Sequence, residues 1–150
     1  MAQSLSSLLV HLVFSTKHRA PIIHAEIESE LHAYLATVFH ECQCPSIKVG
    51  GTSDHIHALF SLHRTWSLAN IAEEVKKRSS KWIKTKGDGY RDFQWQTGYG
   101  AFSVSQSAIA SVRKYIANQR THHQDRDFQD ELRLLFTKHQ IDFDERYLWD

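Results

Sequence analysis

Apolar and polar positions alternate in some stretches of the chain and recur every three or four residues in others. The alternating stretches predict strands over residues 6–15 and 53–62, and shorter apolar runs predict strands over residues 46–49, 93–96 and 101–104. The helical spacing predicts helices over residues 26–41, 68–84, 107–122 and 128–138. Ser67 is expected to cap the second helix, because its hydroxyl can accept a hydrogen bond from a free backbone N–H.

The order of these elements is typical of one α+β domain spanning residues 1–150. The first six, β-α-β-β-α-β, match the ferredoxin-like or RRM-like pattern, in which helices cover one face of an antiparallel sheet. The helix over residues 107–122 carries a tyrosine, and a last helix and tail occupy residues 128–150. This pattern leaves the other face of the sheet free for a ligand or a partner.

The strand over residues 53–62 contains two histidines. Alternation places His55 and His57 side by side on one face, with Ile56 between them directed into a core. In the predicted helix over residues 107–122, Tyr115 and Gln119 are four positions apart and share a face.

These four side chains are candidates for one active site. Two imidazoles and the Gln119 oxygen can hold a divalent metal, and Tyr115 beside the metal could act as a nucleophile on a phosphodiester. His63, His122 and His123 are alternative sources of the third ligand. By themselves, neutral imidazoles suit Mn, Zn, Ni or Cu better than Mg.

Charge is distributed unevenly, although the net charge is only +1. Residues 1–124 carry 14 Lys and Arg against 9 Asp and Glu, whereas residues 125–150 carry 4 against 8. A basic body of this kind is compatible with nucleic-acid binding on one face, or with an ordinary solvated surface. The candidate DNA-binding residues are Lys17, Arg19, Lys76, Lys77, Arg78, Lys81 and Lys84.

The cysteines and the apolar runs complete the composition. Cys42 and Cys44 are one residue apart, a spacing that rarely meets disulfide geometry, so both are expected to be free thiols. No apolar run is long enough to cross a bilayer, and no signal peptide is apparent. We therefore expect a cytoplasmic protein.

Several motifs together resemble a known family, the single-tyrosine HUH transposases of the insertion-sequence-200/605 type. His55-Ile56-His57 is similar to the family's His-hydrophobic-His motif, and residues 115–119 are similar to its Tyr-Ile-x-x-Gln motif. Residues 13–17, 95–104 and 147–149 also look like family sequence. The resemblance covers nearly the whole chain, and the order and spacing of the motifs make it specific.

The resemblance implies a mechanism and a substrate. Tyr115 would form a covalent bond to a DNA 5′-phosphate and leave a free 3′-OH, while His55, His57 and Gln119 would bind Mg²⁺ or Mn²⁺. The substrate would be single-stranded DNA with a hairpin near each end of a mobile element. The protein would be a homodimer in which the tyrosine helix of one subunit completes the site of the other.

Three other interpretations stay open from the sequence. The chain could be a domesticated relative that acts on chromosomal palindromes. It could also be a non-catalytic module that binds single-stranded nucleic acid, or a structural metal-binding protein.

Overall fold

The central strand of the predicted sheet is β1 (Leu9–Ser15), which pairs antiparallel with β3 (His55–Ser61) and with β4 (Gly100–Val104). Strand β2 (Ser46–Gly51) pairs with the free edge of β3, so that the sheet has the order β2-β3-β1-β4. These are features of a computed structural model, which describes residues 2–150 except for the side chains of residues 124 and 125. The predicted α+β fold with a ferredoxin-like antiparallel sheet is confirmed.

Helices α1 (Ala25–Glu41) and α2 (Leu68–Ile83) pack on one face of the sheet, because each carries an apolar stripe. Ser67 caps α2 as expected: its hydroxyl accepts a hydrogen bond from the backbone N–H of Asn70. The main core lies between these helices and the sheet. Its largest fully buried side chains from the sheet are Phe14, Phe60, Leu12 and Ile56.

The opposite face of the sheet is covered, so the expectation of a free face is wrong. Helix α5 (Phe128–Lys138) packs there, and its Phe128, Leu132 and Phe136 form a second buried cluster with Val13 and Phe102 of the sheet. The physical reason is that the packed surfaces of α5 and of the sheet are both apolar. The sheet presents hydrophobic side chains on both faces, and α5 has its own stripe to remove from water.

The predicted helix over residues 107–122 is divided into two. Helix α3 (Ile109–Ala117) ends at Asn118, whose backbone is non-helical, and α4 (Gln119–Asp125) follows directly. Short 3-10 turns occupy Gln106–Ala108, Lys17–Arg19, Lys84–Lys86 and Asp88–Tyr90.

The predicted strand over residues 93–96 is also wrong, because only Trp95 forms an isolated bridge with Thr16. The alternation there arises from burial of Phe93 and Trp95 in the main core, without an extended ladder. Both cysteines are free thiols, as expected, and burial raises their pKa. Among residues 2–150 the structure contains no helix that is both long and apolar enough to span a membrane.

Candidate active site

The two histidines of β3 lie side by side on the face that α5 covers, and both are fully buried. Buried imidazoles need partners for their ring nitrogens, since an unpaired polar group is costly away from water. Each of the two histidines has a partner at both nitrogens. Their ring orientations are therefore held from two sides.

His55 is oriented by its own sequence neighbourhood on one side and by α4 on the other. Its Nδ1 lies 2.7 Å from Asp54 Oδ1, and its Nε2 lies 2.9 Å from Gln119 Oε1. Although burial acts to raise the pKa of Asp54, hydrogen bonds from His55 and Thr52 hold it below its usual value. Asp54 therefore stays ionised and holds the His55 ring so that Nε2 points at Gln119.

His57 is oriented by residues distant in sequence. Its Nε2 donates to Glu131 Oε1 at 2.9 Å, and its Nδ1 lies 2.8 Å from His11 Nε2. Burial lowers the pKa of His57 to about 4 and that of His11 to about 3, so both imidazoles are neutral near pH 7. Neutral imidazole is the form that binds a metal ion.

Tyr115 reaches the same cluster from α3. Its hydroxyl donates a hydrogen bond to Glu131 Oε2, and its ring lies 5.8 Å from that of His57, measured between centroids. Burial and the nearby Glu131 carboxylate raise the pKa of Tyr115 well above its usual range, so the phenol keeps its proton in this arrangement. The tyrosine thus lies beside the histidines of its own chain.

Glu131 is the site residue that reasoning from the sequence missed. It is almost completely buried on α5, where it contacts His57, Tyr115 and His123. Burial acts to raise its pKa, but the hydrogen bonds it accepts lower it well below its usual range, so it is ionised. A signal existed in the sequence: residues 128, 131, 132, 135 and 136 have the spacing of an apolar stripe, with a glutamate at one position.

The donor atoms of this cluster have the spacing of ligands around one ion. Glu131 Oε1 lies 3.6 Å from His55 Nε2 and 2.9 Å from His57 Nε2, and the three residues form the candidate metal cluster among those described. Two ligands at right angles around an ion, with bonds of about 2.1 Å, lie about 3 Å apart. These three side chains fit one divalent cation, and Gln119 adds an oxygen donor beside His55.

The three histidines predicted as alternative third ligands lie at different distances from the cluster. His123 Nε2 lies 3.2 Å from Glu131 Oε1, at the edge of the cluster. The ring of His122 packs against that of Tyr115, with 4.7 Å between centroids. His63 bonds to Thr65 beyond the end of β3, away from the other two. Two of the candidates therefore lie at His55: Gln119 Oε1 is 2.9 Å from its Nε2, and the ring of His123 is 4.4 Å from its ring, measured between centroids.

A comparison with family models decides the classification of the chain. The model described as "Transposase IS200 like" matches residues 4–119. The chain belongs to this family of transposases. The matched segment contains His55, His57, Tyr115 and Gln119, whereas Glu131 lies beyond its end.

Two solved structures are similar to this IS200-like transposase in fold. One is a protein from Deinococcus radiodurans R1 assigned as a transposase, with 20% sequence identity, a TM-score of 0.61 and coverage of 79% of this chain and 98% of that one. The other is a REP-associated tyrosine transposase bound to a REP hairpin, with 12% identity, a TM-score of 0.59 and coverage of 82% and 74%. A search of the curated proteins gives no significant match.

The tyrosine helix of this transposase can approach the sheet closely because β2 has a glycine at the contact. A Cβ atom on Gly50 would lie 2.8 Å from both the backbone oxygen and Cγ2 of Ile116, the residue after Tyr115. Such a contact is too short for carbon atoms, so any side chain at residue 50 would move α3. Gly50 thus sets the distance between Tyr115 and the histidines.

We expect Gly50→Ala to reduce any tyrosine-dependent activity by at least tenfold, because a misplacement of about 1 Å can cost about 100-fold. The free energy of unfolding should fall by about 1–3 kcal/mol from overpacking. Gly89→Ala is the matched control, since a Cβ there meets no atom within 4 Å. Equal activity of the two variants would show that the helix position is not set at Gly50.

Some of the candidate DNA-binding side chains contact other groups of the protein, and the others are exposed. Lys76 donates hydrogen bonds to the backbone oxygens of Gln96, Thr97 and Gly98, and burial lowers its pKa to about 8. Arg78 pairs with Glu41, and the Arg19 guanidinium lies 5.5 Å from the centre of the Trp149 ring. Within the described part of the chain, no ion pair involves the exposed side chains of Lys17, Lys77, Lys81 and Lys84.

Lys76 therefore has a structural role in addition to any contact with DNA. We expect Lys76→Met to lower the free energy of unfolding by about 1–3 kcal/mol, because three backbone oxygens lose their donor. Lys77→Met, one residue along the same helix and exposed, should change it by less than about 0.5 kcal/mol. Urea unfolding of the two variants measures both values, and equal stabilities would contradict the structural role.

Proposed function

We propose that this IS200-like transposase cleaves and rejoins single-stranded DNA through a covalent 5′-phosphotyrosine at Tyr115. The observation that carries the proposal is the position of the Tyr115 hydroxyl. It contacts Glu131, which in turn bonds to His57 of the His-x-His motif. A nucleophile, a carboxylate acceptor and a set of metal-ligating side chains thus lie within one cluster.

The reaction exchanges one phosphorus–oxygen bond for another. The Tyr115 oxygen attacks the scissile phosphorus, the bond to the 3′ oxygen breaks, and the DNA keeps a free 3′-OH. Glu131 accepts the hydrogen bond that orients the phenol. The phenolic proton passes to water as the new bond forms, and the departing 3′ oxygen takes up a proton from water. Because the phosphotyrosine conserves the bond energy, attack by another 3′-OH can rejoin strands by the reverse path.

The residues that would hold a divalent metal are His55, His57 and Gln119, with Glu131 as a further ligand. When bound, the ion supplies positive charge for the non-bridging phosphate oxygens and helps to position the scissile bond. The two oxygen donors, an amide and a carboxylate, make the set better suited to Mg²⁺ or Mn²⁺ than two imidazoles alone. Asp54 keeps the His55 ring directed toward the ion.

The DNA substrate has two candidate contact regions on the surface. A cleft of about 560 Å³ opens beside Tyr115, lined among others by His11, Phe102, Lys138 and His139, and would admit the scissile strand. Lys77, Lys81 and Lys84 recur at helical spacing and form an exposed basic stripe for the phosphate backbone. Lys17 and Arg19 would extend it. The REP hairpin in the similar structure supports a hairpin ligand here too.

We further propose that the protein works in the cytoplasm as a homodimer that shares its active sites. In a single chain, Tyr115 contacts the cluster that contains its own histidines. Exchange of α3 between subunits would build the same cluster from two chains, with the non-helical Asn118 as the junction between α3 and α4.

Mixing subunits tests the shared site. Heterodimers of Tyr115→Phe and His57→Ala chains should regain a measurable part of the cleavage that each homodimer lacks, because one subunit retains the tyrosine and the other the histidine. Differently tagged chains, purified as verified heterodimers, provide the measurement. Complete absence of cleavage in these heterodimers would instead support a site built within one chain.

The experiment that tests the function uses single-stranded hairpin DNA from the ends of the element, labelled at the 5′ or 3′ end, with Mg²⁺ or Mn²⁺. A protein–DNA adduct that survives boiling in detergent and carries the strand 3′ to the cut is expected. Binding without an adduct, with both metals and both strands, would support a non-catalytic hairpin-binding module. Adducts formed only with chromosomal palindromes would identify a domesticated relative.

A further inference from the structure

His11 is a buried polar residue that neither the candidate metal ligands nor the nucleophile accounts for. It lies on the central strand β1, on the same face of the sheet as His57. The register pairs Val13 with His57, so His11 is the diagonal neighbour of His57 across the strand pair. Only 4% of His11 is exposed, on a strand whose other interior residues are mostly apolar.

The contact of His11 is directional. Its Nε2 lies 2.8 Å from Nδ1 of His57, while the other nitrogen of His57 faces Glu131 at 2.9 Å. His55 has an equivalent arrangement, in which Asp54 holds Nδ1 and leaves Nε2 directed at Gln119. Each histidine of the motif therefore has a dedicated partner on Nδ1. Metal-ligating histidines commonly have such a partner, which sets the ring orientation and the tautomer.

We propose that His11 is the positioning residue of His57, and that its imidazole is suited to this because Nε2 can either donate or accept. The proposal rests on the proposed metal site. Without an ion, His57 Nε2–H donates to Glu131, and His57 Nδ1 accepts from His11 Nε2–H. If His57 Nε2 held an ion, the proton of His57 would stand on Nδ1 and His11 Nε2 would accept the hydrogen bond.

Binding of an ion at His57 would leave the total number of protons on the two imidazoles unchanged. One proton leaves His57 Nε2, and one is taken up at His11 Nδ1 from solvent in the cleft that His11 lines. Both rings remain neutral throughout. A carboxylate at residue 11 could only accept and a lysine could only donate, so neither could serve both states. An amide could serve both, because its oxygen and nitrogen can exchange places.

Two polar substitutions of different length make a matched pair for the test. Glutamine places its terminal amide near the position of histidine Nε2, whereas asparagine is too short and reaches only the position of Nδ1. Mn²⁺ affinity of the full chain, measured by electron paramagnetic resonance, is the first readout. His11→Asn and His11→Leu should weaken Mn²⁺ binding about 10- to 100-fold, and His11→Gln should stay within a few-fold of the unsubstituted chain.

The side-chain ¹⁵N signals of His57 give a second readout that does not depend on activity or on a bound ion. In the metal-free chain, loss of the hydrogen bond from His11 should move the Nδ1 signal in His11→Leu but hardly in His11→Gln. His63→Leu is the control, because His63 lies beyond the end of β3 and its side chain bonds to Thr65. It should leave both readouts unchanged.

The outcomes separate the two proposals. Wild-type Mn²⁺ affinity in folded His11→Leu and His11→Asn chains, judged by circular dichroism, would overturn the positioning role and leave the metal site intact. Equal weakening by Gln, Asn and Leu would also overturn it, since only bulk would then matter. If the unsubstituted chain binds no Mn²⁺ at all, the metal site itself fails, while the His57 signals still report on the contact with His11.

Discussion

Replacement of Tyr115 by phenylalanine is expected to abolish the covalent protein–DNA adduct and to leave hairpin binding within a few-fold of the unsubstituted chain. The substitution removes one oxygen atom, the one that contacts Glu131, and keeps the ring that packs beside His57 and His122. Without the hydroxyl no phosphotyrosine can form. Loss of the nucleophile should reduce cleavage by at least about 10³-fold.

The control for this variant is Tyr147→Phe, because Tyr147 lies in the tail with 67% of its surface exposed, so that loss of its hydroxyl disturbs no buried contact. Both variants are compared in the labelled-hairpin assay, with binding measured separately by a gel shift. An adduct that persists in Tyr115→Phe would identify another nucleophile. Equal loss of binding and cleavage would point to a folding defect.

Replacement of His57 by alanine has the second largest expected effect, because it removes a candidate metal ligand and takes a hydrogen-bond partner from two buried groups. His11 and Glu131 each lose a hydrogen bond to the imidazole. Mn²⁺ affinity should fall by more than about 100-fold, since loss of an outer-shell partner alone costs about 10- to 100-fold. The free energy of unfolding should fall by about 1–3 kcal/mol.

Calorimetry with Mn²⁺ and urea unfolding measure the two effects, and the adduct assay with and without a chelator measures the consequence. His57→Gln is a second variant for the case in which the alanine chain does not fold. His63→Ala is the matched control, because this histidine continues the strand alternation but its side chain bonds to Thr65, beyond the end of β3. Cleavage that survives both His57→Ala and chelation would rule out a metal site at these residues.

Most of the fold could be predicted because its patterns are local. Alternation and helical spacing give the strands and helices, and the element order gives the sheet topology. The break at Asn118 was not predicted, because the apolar spacing continues through it; it lies directly before Gln119, whose side chain contacts His55. The strand over residues 93–96 failed because two buried aromatics can mimic strand alternation without pairing.

The candidate site divides in a similar way. The motif spacings indicate that His55 and His57 share a strand face, as they do in β3. The prediction that Tyr115 and Gln119 share a face of one helix is wrong, because the break at Asn118 places them on α3 and α4. The motif spacings cannot show that Glu131 enters the site or that Lys76 donates hydrogen bonds to three backbone oxygens. Both depend on contacts between residues far apart in the chain, which no local pattern encodes.

The sequence by itself determined the order of the elements and the spacing within the two motifs, since periodicity and short-range spacing are properties of neighbouring residues. The resemblance of those motifs then indicated the family. Only the tertiary structure decided what covers the second face of the sheet and which groups contact each histidine. Packing of α5 on an apolar sheet face carries Glu131 to His57, and strand register carries His11 to its other nitrogen. Burial then makes these partners obligatory, because a polar group removed from water must be paired.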